Sequence, residues 1–145
     1  MITINVDTRS GDPAPCAVDV VVGLASTTLS ESGVNAGTVQ IVFSDDEHLR
    51  QLKNQFFNLN QYTDVIAFHL NEPDEELDGE IYISPERARE NSQVYHETYT
   101  RELLRLVIHG CLHLSGYEDH TPEDQAKIRH LEDHFLALVT DQHGL

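Results

Sequence analysis

The segment His109-Gly110-Cys111-Leu112-His113-Leu114-Ser115-Gly116-Tyr117-Glu118-Asp119-His120 constrains this chain more than any other. Two histidines four residues apart share one face of a helix, because four residues complete about one turn. Gly116, three residues beyond His113, is the residue type that most readily ends a helix and turns the chain back. Asp119 follows three residues later, with His120 beside it. The pattern His-x-x-x-His-x-x-Gly-x-x-(Asp or His) delivers two ligands from a helix and a third from the turn after it. Such a set suits one divalent ion, most naturally zinc, with a coordination position left open. The rest of the chain reads as the scaffold for this site.

A carboxylate is an acceptable zinc ligand, and Asp119 occupies the position that the spacing requires. His120 is the softer donor but needs one extra residue in the turn. Asp119 is therefore the preferred third ligand and His120 the alternative; the one left over is available as an outer hydrogen-bonding partner. Cys111 lies about 200° round the helix from each histidine, which turns it toward the core as a structural thiol. A helical zinc protease places glutamate directly after its first histidine, as general base. Gly110 stands there instead, so proteolysis becomes the alternative rather than the leading reading. Glycine inside a helix costs about 1 kcal/mol relative to alanine, which points to close packing or access to the ion. The chemistry that remains is metal-assisted hydrolysis, and phosphodiester cleavage benefits especially from a cation at the phosphate.

Charge stands against a nucleic-acid substrate at first sight. The chain carries 25 Asp and Glu against 9 Lys and Arg, a formal net charge of −16, and cations dominate affinity for phosphate backbones. The bland assignment is a solvated acidic surface. Four cations nevertheless cluster upstream of the motif: Arg87, Arg89, Arg101 and Arg105. Arg101 and Arg105 continue the four-residue spacing of His109 and His113, a stripe that would carry a phosphate backbone toward the ion. Salt bridging to neighbouring carboxylates is the competing assignment. Glu102, seven residues before His109, shares that face and is a candidate for orienting a histidine or for acid/base work.

With 145 residues the chain is expected to form one domain, residues 1–145, around one core. No apolar run approaches the roughly 20 residues that span a bilayer. The opening Met-Ile-Thr-Ile-Asn-Val lacks a signal-peptide pattern, and Cys16 and Cys111 do not suggest a disulfide framework. Cytoplasm is the expected compartment.

Periodicity supplies the elements. Residues 2–6 alternate as a half-buried strand, and residues 11–15 form a turn-rich link. A helix runs from Cys16 to about Leu29, with Gly33 as its stop. Val39 to Phe43 is a strand, and Ser44-Asp-Asp-Glu47 has the capping-box pattern for a helix to about Phe57. Thr63 to Leu70, the most apolar strand candidate, is expected to be central and to pair as a hairpin with residues 79–83 across an acidic loop. Ser84-Pro85 opens a helix to about Val94. The longest helix runs from about Glu97 to Leu114, and Thr121-Pro122 opens a last one to about Val139. The expectation is an α+β domain with a small mixed sheet of about four strands and helices packed against it.

Four ordered blocks resemble a known family. His109-Gly-Cys-Leu-His-Leu-Ser-Gly-Tyr is similar to the His-Gly-x-Leu-His-Leu-x-Gly-Tyr signature of the YbeY endoribonucleases. Thr63 to Phe68 resembles that family's Thr-Asp-Val-Leu-Ser-Phe strand, and Gly79 to Ile83 its Gly-Asp-Ile-x-Ile strand. Glu102-Leu103 precedes the metal motif as the family's Glu-Leu does. The resemblance implies a zinc-dependent, single-strand-specific endoribonuclease with one ion per chain, in a cleft between helix and sheet. It implies action on 16S ribosomal RNA of the small ribosomal subunit, at the 3′ end, and in ribosome quality control. Beside proteolysis, the other alternative is a non-catalytic, ribosome-associated factor whose metal is structural, with four protein ligands such as His109, His113, Asp119 and His120 closing the site. His109 and His113 fall on the family's first two ligands, and Asp119 falls in register with its third histidine. That aspartate is one departure. A second is Phe57, in register with an arginine that is common in the family; the arginines of the motif helix are the expected substitute.

Overall fold

The computed structural model describes residues 1–11, 14 and 16–143, with side chains through residue 140. The expected link at 11–15 falls mainly on residues 12, 13 and 15, outside the described residues. In chain order the elements are β1 (Ile2–Thr8), α1 (Val18–Glu31), β2 (Gly37–Phe43), α2 (Asp46–Phe57), β3 (Val65–His69), β4 (Leu77–Ile83), α3 (Pro85–Val94), α4 (Tyr99–Leu114) and α5 (Pro122–His143). The longest helix is α5, with 22 residues, and not α4, with 16: α5 continues past Val139, whereas α4 is closed at Leu114 by the turn at Gly116. The strands form one mixed sheet in the order β1-β2-β4-β3, an α+β fold. β1, β2 and β4 are parallel, and β3 runs antiparallel against β4 as the expected hairpin.

One face of the sheet carries Val39, Ile41 and Phe43 of β2 with Ile81 and Ile83 of β4, all essentially inaccessible to water. The strand period of two puts these side chains on the same face. α4 packs there as the central helix, touching β3, β4, α1, α3 and α5. Its residues Leu103, Leu104, Val107, Ile108, Cys111 and Leu112 are buried, as the wide apolar face required.

Gly110 also faces the sheet: a Cβ built on it would lie 2.6 Å from Ile81 Cγ2. Across the same interface, a Cβ on Gly79 of β4 would lie 2.8 Å from Leu114 Cδ1. Two glycines thus let α4 sit close on β4, and the role of Gly110 is packing.

β3 is an edge strand, not a central one. β4 spends its second edge on β2, so the hairpin ends the sheet at β3. The strand is apolar because both of its faces are covered. Val65 and Ala67 pack against the core beneath α4. Phe68, on the opposite face, meets Phe56, Phe57 and Tyr82 at ring-centroid distances of 5.1, 5.9 and 6.0 Å. Apolar content reported coverage rather than position in the sheet.

Two caps form as the sequence indicates. Ser84 Oγ accepts from the Arg87 N–H at 3.2 Å with Pro85 beginning α3, and Thr121 Oγ1 accepts from the Asp124 N–H at 3.1 Å before α5. The capping box at Ser44 does not form. Asp45 is the N-cap of α2 and makes no side-chain cap bond. Ser44 Oγ instead meets His48 Nδ1 at 2.6 Å, and Glu47 turns to Arg50. A hydroxyl with a ring nitrogen one turn away has a partner that competes with the backbone.

Candidate metal centre

α4 ends in a turn that sets the site. Gly116 takes a φ of 102°, in the left-handed region. Its N–H donates to the His113 carbonyl at 3.1 Å, and the Tyr117 N–H donates to the Leu112 carbonyl at 3.0 Å. These two bonds are the Schellman pair that closes a helix C-terminus. The reversal carries Asp119 back over the last turn of α4.

The result is a cluster of His109, His113 and Asp119, whose donor atoms all lie within 4.8 Å of one another. The two Nε2 atoms are 3.0 Å apart, and Asp119 Oδ2 is 3.8 Å from His109 Nε2 and 3.6 Å from His113 Nε2. Donors about 2.0–2.1 Å from a tetrahedral ion stand roughly 3.3 Å from each other. The observed separations fit one ion, and three donors leave one tetrahedral position free. His120 lies outside the cluster, with its side chain 75% exposed and its Nε2 3.9 Å from Glu118 Oε2.

Glu132 of α5, which the sequence reading missed, completes the arrangement. It is 6% exposed, and its Oε2 lies 2.7 Å from His109 Nδ1. A carboxylate only accepts, so Nδ1 carries the proton and Nε2 presents its lone pair to the ion, the usual outer partner of a metal-bound histidine. The available signal was a carboxylate on the apolar stripe of α5, between Ile128 and Phe135, Leu136 and Val139. Burial by itself would lower the His109 pKa. The hydrogen bond and charge of Glu132, helped by Asp64 and Asp119, outweigh it and hold the group above its ordinary value. His113 goes the other way, lowered by burial and by His109 against the opposing pull of Asp119. A neutral imidazole is the ligand form, so His113 is poised to bind.

The cluster opens into a cleft of about 570 Å³. One wall comes from α2 and the segment through β3 (Lys53, Phe57, Asp64, His69), the other from α4 and its turn (His109, His113, Tyr117, Asp119). His69 is a second residue missed. Its Nε2–H donates to the Leu114 carbonyl at 3.0 Å, one of the groups a helix end leaves open.

The candidate arginines carry the competing assignment. Arg101 Nε bonds Glu97 at 2.9 Å, and Arg105 bonds Asp133 at 2.9 Å and Glu132 at 3.4 Å. Arg105 lines an adjoining groove with Glu102 and His109. Glu102 is 5% exposed, and burial raises its pKa despite Arg105, 4.0 Å away. Cys111 is fully buried and its thiol is pushed up to about 12, which makes it inert.

The chain is similar to known proteins in sequence and in fold. The family model described as endoribonuclease YbeY matches residues 16–140. An endoribonuclease YbeY of Flavobacterium psychrophilum is 39% identical over 115 residues, 79% of this chain and 81% of that one. The one of Cytophaga hutchinsonii is 39% identical over 97 residues, 67% of this chain and 68% of its own. The solution structure of TM1509 from Thermotoga maritima shares the fold, with a TM-score of 0.65 at 24% identity, covering 97% of this chain and 91% of that one. With the family match spanning α1 through the turn after α4 and most of α5, the chain belongs to the endoribonuclease YbeY family.

Proposed function

We propose that this protein is a zinc-dependent endoribonuclease that cleaves single-stranded RNA in the cytoplasm. Its substrate would be 16S ribosomal RNA of the small ribosomal subunit, matured at the 3′ end, with a further role in ribosome quality control. The observation that carries this reading is the three-donor cluster of His109, His113 and Asp119 at the floor of an open cleft. A structural zinc takes four protein ligands, whereas three leave a place for chemistry. When bound, the ion supplies positive charge beside the phosphoryl oxygens and acidifies water.

The chain's own groups do the rest. Glu132 keeps the His109 proton on Nδ1, so that Nε2 remains a ligand. Glu102, two turns before His109 on α4, is buried in the adjoining groove rather than in the wall of the cleft that holds the cluster. The position that carries the base in helical zinc proteases is Gly110, packed on Ile81, which favours phosphodiester over peptide hydrolysis.

Purified protein with zinc is expected to cut a single-stranded RNA and to leave a duplex and a casein substrate intact. His113→Ala should abolish cleavage while the far-ultraviolet circular dichroism is unchanged. Undiminished cleavage by that variant would overturn the reading. On small subunits carrying 3′-extended 16S RNA, shortened 3′ ends are expected from the parent protein alone.

A further inference from the structure

Phosphate must be gripped by a protein of net charge −16, so the whereabouts of its uncommitted cations matter. Arg9, Arg50, Arg87, Arg101 and Arg105 each hold a carboxylate, and Arg89 stacks over Tyr99. Arg129 lines the groove that also carries Asp64, Glu102 and Glu132, a surface hostile to phosphate.

The chain's two lysines are placed differently. Neither has a carboxylate ion-pair partner among the described residues, and each lies over an aromatic ring of the cleft: Lys53 within the cleft itself, and Lys127 in the adjoining pocket that Tyr117, Glu118 and Asp124 also line. Lys53 Nζ is 5.2 Å from the centroid of Phe57, and Lys127 Nζ is 5.4 Å from that of Tyr117. Phe57, at the end of α2, and Tyr117, in the turn after α4, both line the cleft that holds His109 and His113. Phe57 is 47% exposed and held in place by stacking on Phe68.

We infer that Phe57 with Lys53, and Tyr117 with Lys127, are two clamps for single-stranded RNA at the cleft of the metal centre. This rests on the nuclease reading above. An exposed cation–π contact is weaker than stacking of a nucleobase on the same ring. An incoming base therefore displaces the ammonium from the ring, and the released lysine is left beside the backbone phosphate. Only unstacked bases can enter, so the clamps select single strands. Phe57 then contributes a stacking ring while Lys53, one turn earlier on α2, supplies the charge.

The test is fluorescence anisotropy with a labelled single-stranded decanucleotide RNA, titrated with full-length protein from 50 to 300 mM salt and compared with an abasic analogue. Phe57→Leu and Tyr117→Leu should each weaken binding about tenfold on the normal strand and leave binding of the abasic strand and the salt slope unchanged. Lys53→Gln and Lys127→Gln should each lower the salt slope by about 0.7, the value for one single-strand phosphate contact, and Lys53→Arg should restore it. Arg9→Gln, a cation removed elsewhere, should bind as the parent does. Parent-like binding by the Phe57 and Tyr117 variants, or parent-like salt slopes for the lysine variants, would overturn the clamps while leaving the nuclease reading intact. Binding by the parent with the expected variant pattern but without cleavage would uphold the clamps and overturn the nuclease reading.

Discussion

Glu132 occupies a place on α5 where packing alone would ask for an apolar side chain. A buried carboxylate is costly unless it is hydrogen-bonded, and here its partners are His109 and Arg105. Outer partners of this kind are worth about 10–100-fold in metal affinity. Glu132→Gln is therefore expected to weaken zinc binding by that order, read by competition with a chelating dye, with the fold retained. Glu102 gives a second test. Its folded-state pKa lies above the ordinary 4.5, so the folded protein holds this proton more tightly than the unfolded chain does. Its contribution to stability is full below about pH 4.5 and is lost as pH rises through the folded value. Glu102→Gln, neutral throughout, should melt at a higher temperature than the parent at pH 7, and the gap should close as the pH falls toward 4.5. A gap independent of pH would rule out burial of the charge as its cause. His109, His113 and Asp119 were legible in the sequence because they fall within eleven consecutive positions, where helix and turn geometry decide everything. Glu132 and His69 reach the site only through tertiary packing, from 23 and 45 positions away from the residues they bond.

Among the elements, the close approach of α4 to β4 depends on small residues, Gly110 among them. Replacing Gly110 by alanine removes about 1 kcal/mol of helix-propensity cost. The new methyl would stand 2.6 Å from Cγ2 of the fully buried, β-branched Ile81, which has no free rotamer to yield. Overpacking typically costs about 1–3 kcal/mol, so the clash outweighs the propensity. Gly110→Ala should lower stability by up to about 2 kcal/mol, the overpacking cost less the propensity gain, seen as a lower urea midpoint at unchanged slope. Helices were readable because caps and periodicity are local signals, as at Ser84-Pro85 and Thr121-Pro122. The rank of β3 within the sheet was not, since no feature of Val65 to His69 records which strand takes the second edge of β4. Ser44 misled for a related reason: the partner that won its hydroxyl, His48, lies outside the four-residue box.

For the whole molecule, an ion that binds only the folded chain stabilises it by mass action, by about 2.7 kcal/mol at a free concentration 100 times Kd. Zinc is expected to raise the melting temperature of the parent protein and to leave that of His113→Ala unmoved, as followed by thermal denaturation with and without chelator. Among the described residues no helix is long and apolar enough to cross a membrane. α5, the longest helix, lies against α4 by packing and by the hydrogen bond that His109 Nδ1–H donates to Glu132. That bond makes the docking of α5 and the filling of the site reciprocal: whatever favours one must favour the other by the same free energy. A ligand that pries α5 from α4 would thus strip the ion without touching it, and loss of the ion would loosen the C-terminal helix, visible as faster amide exchange along α5.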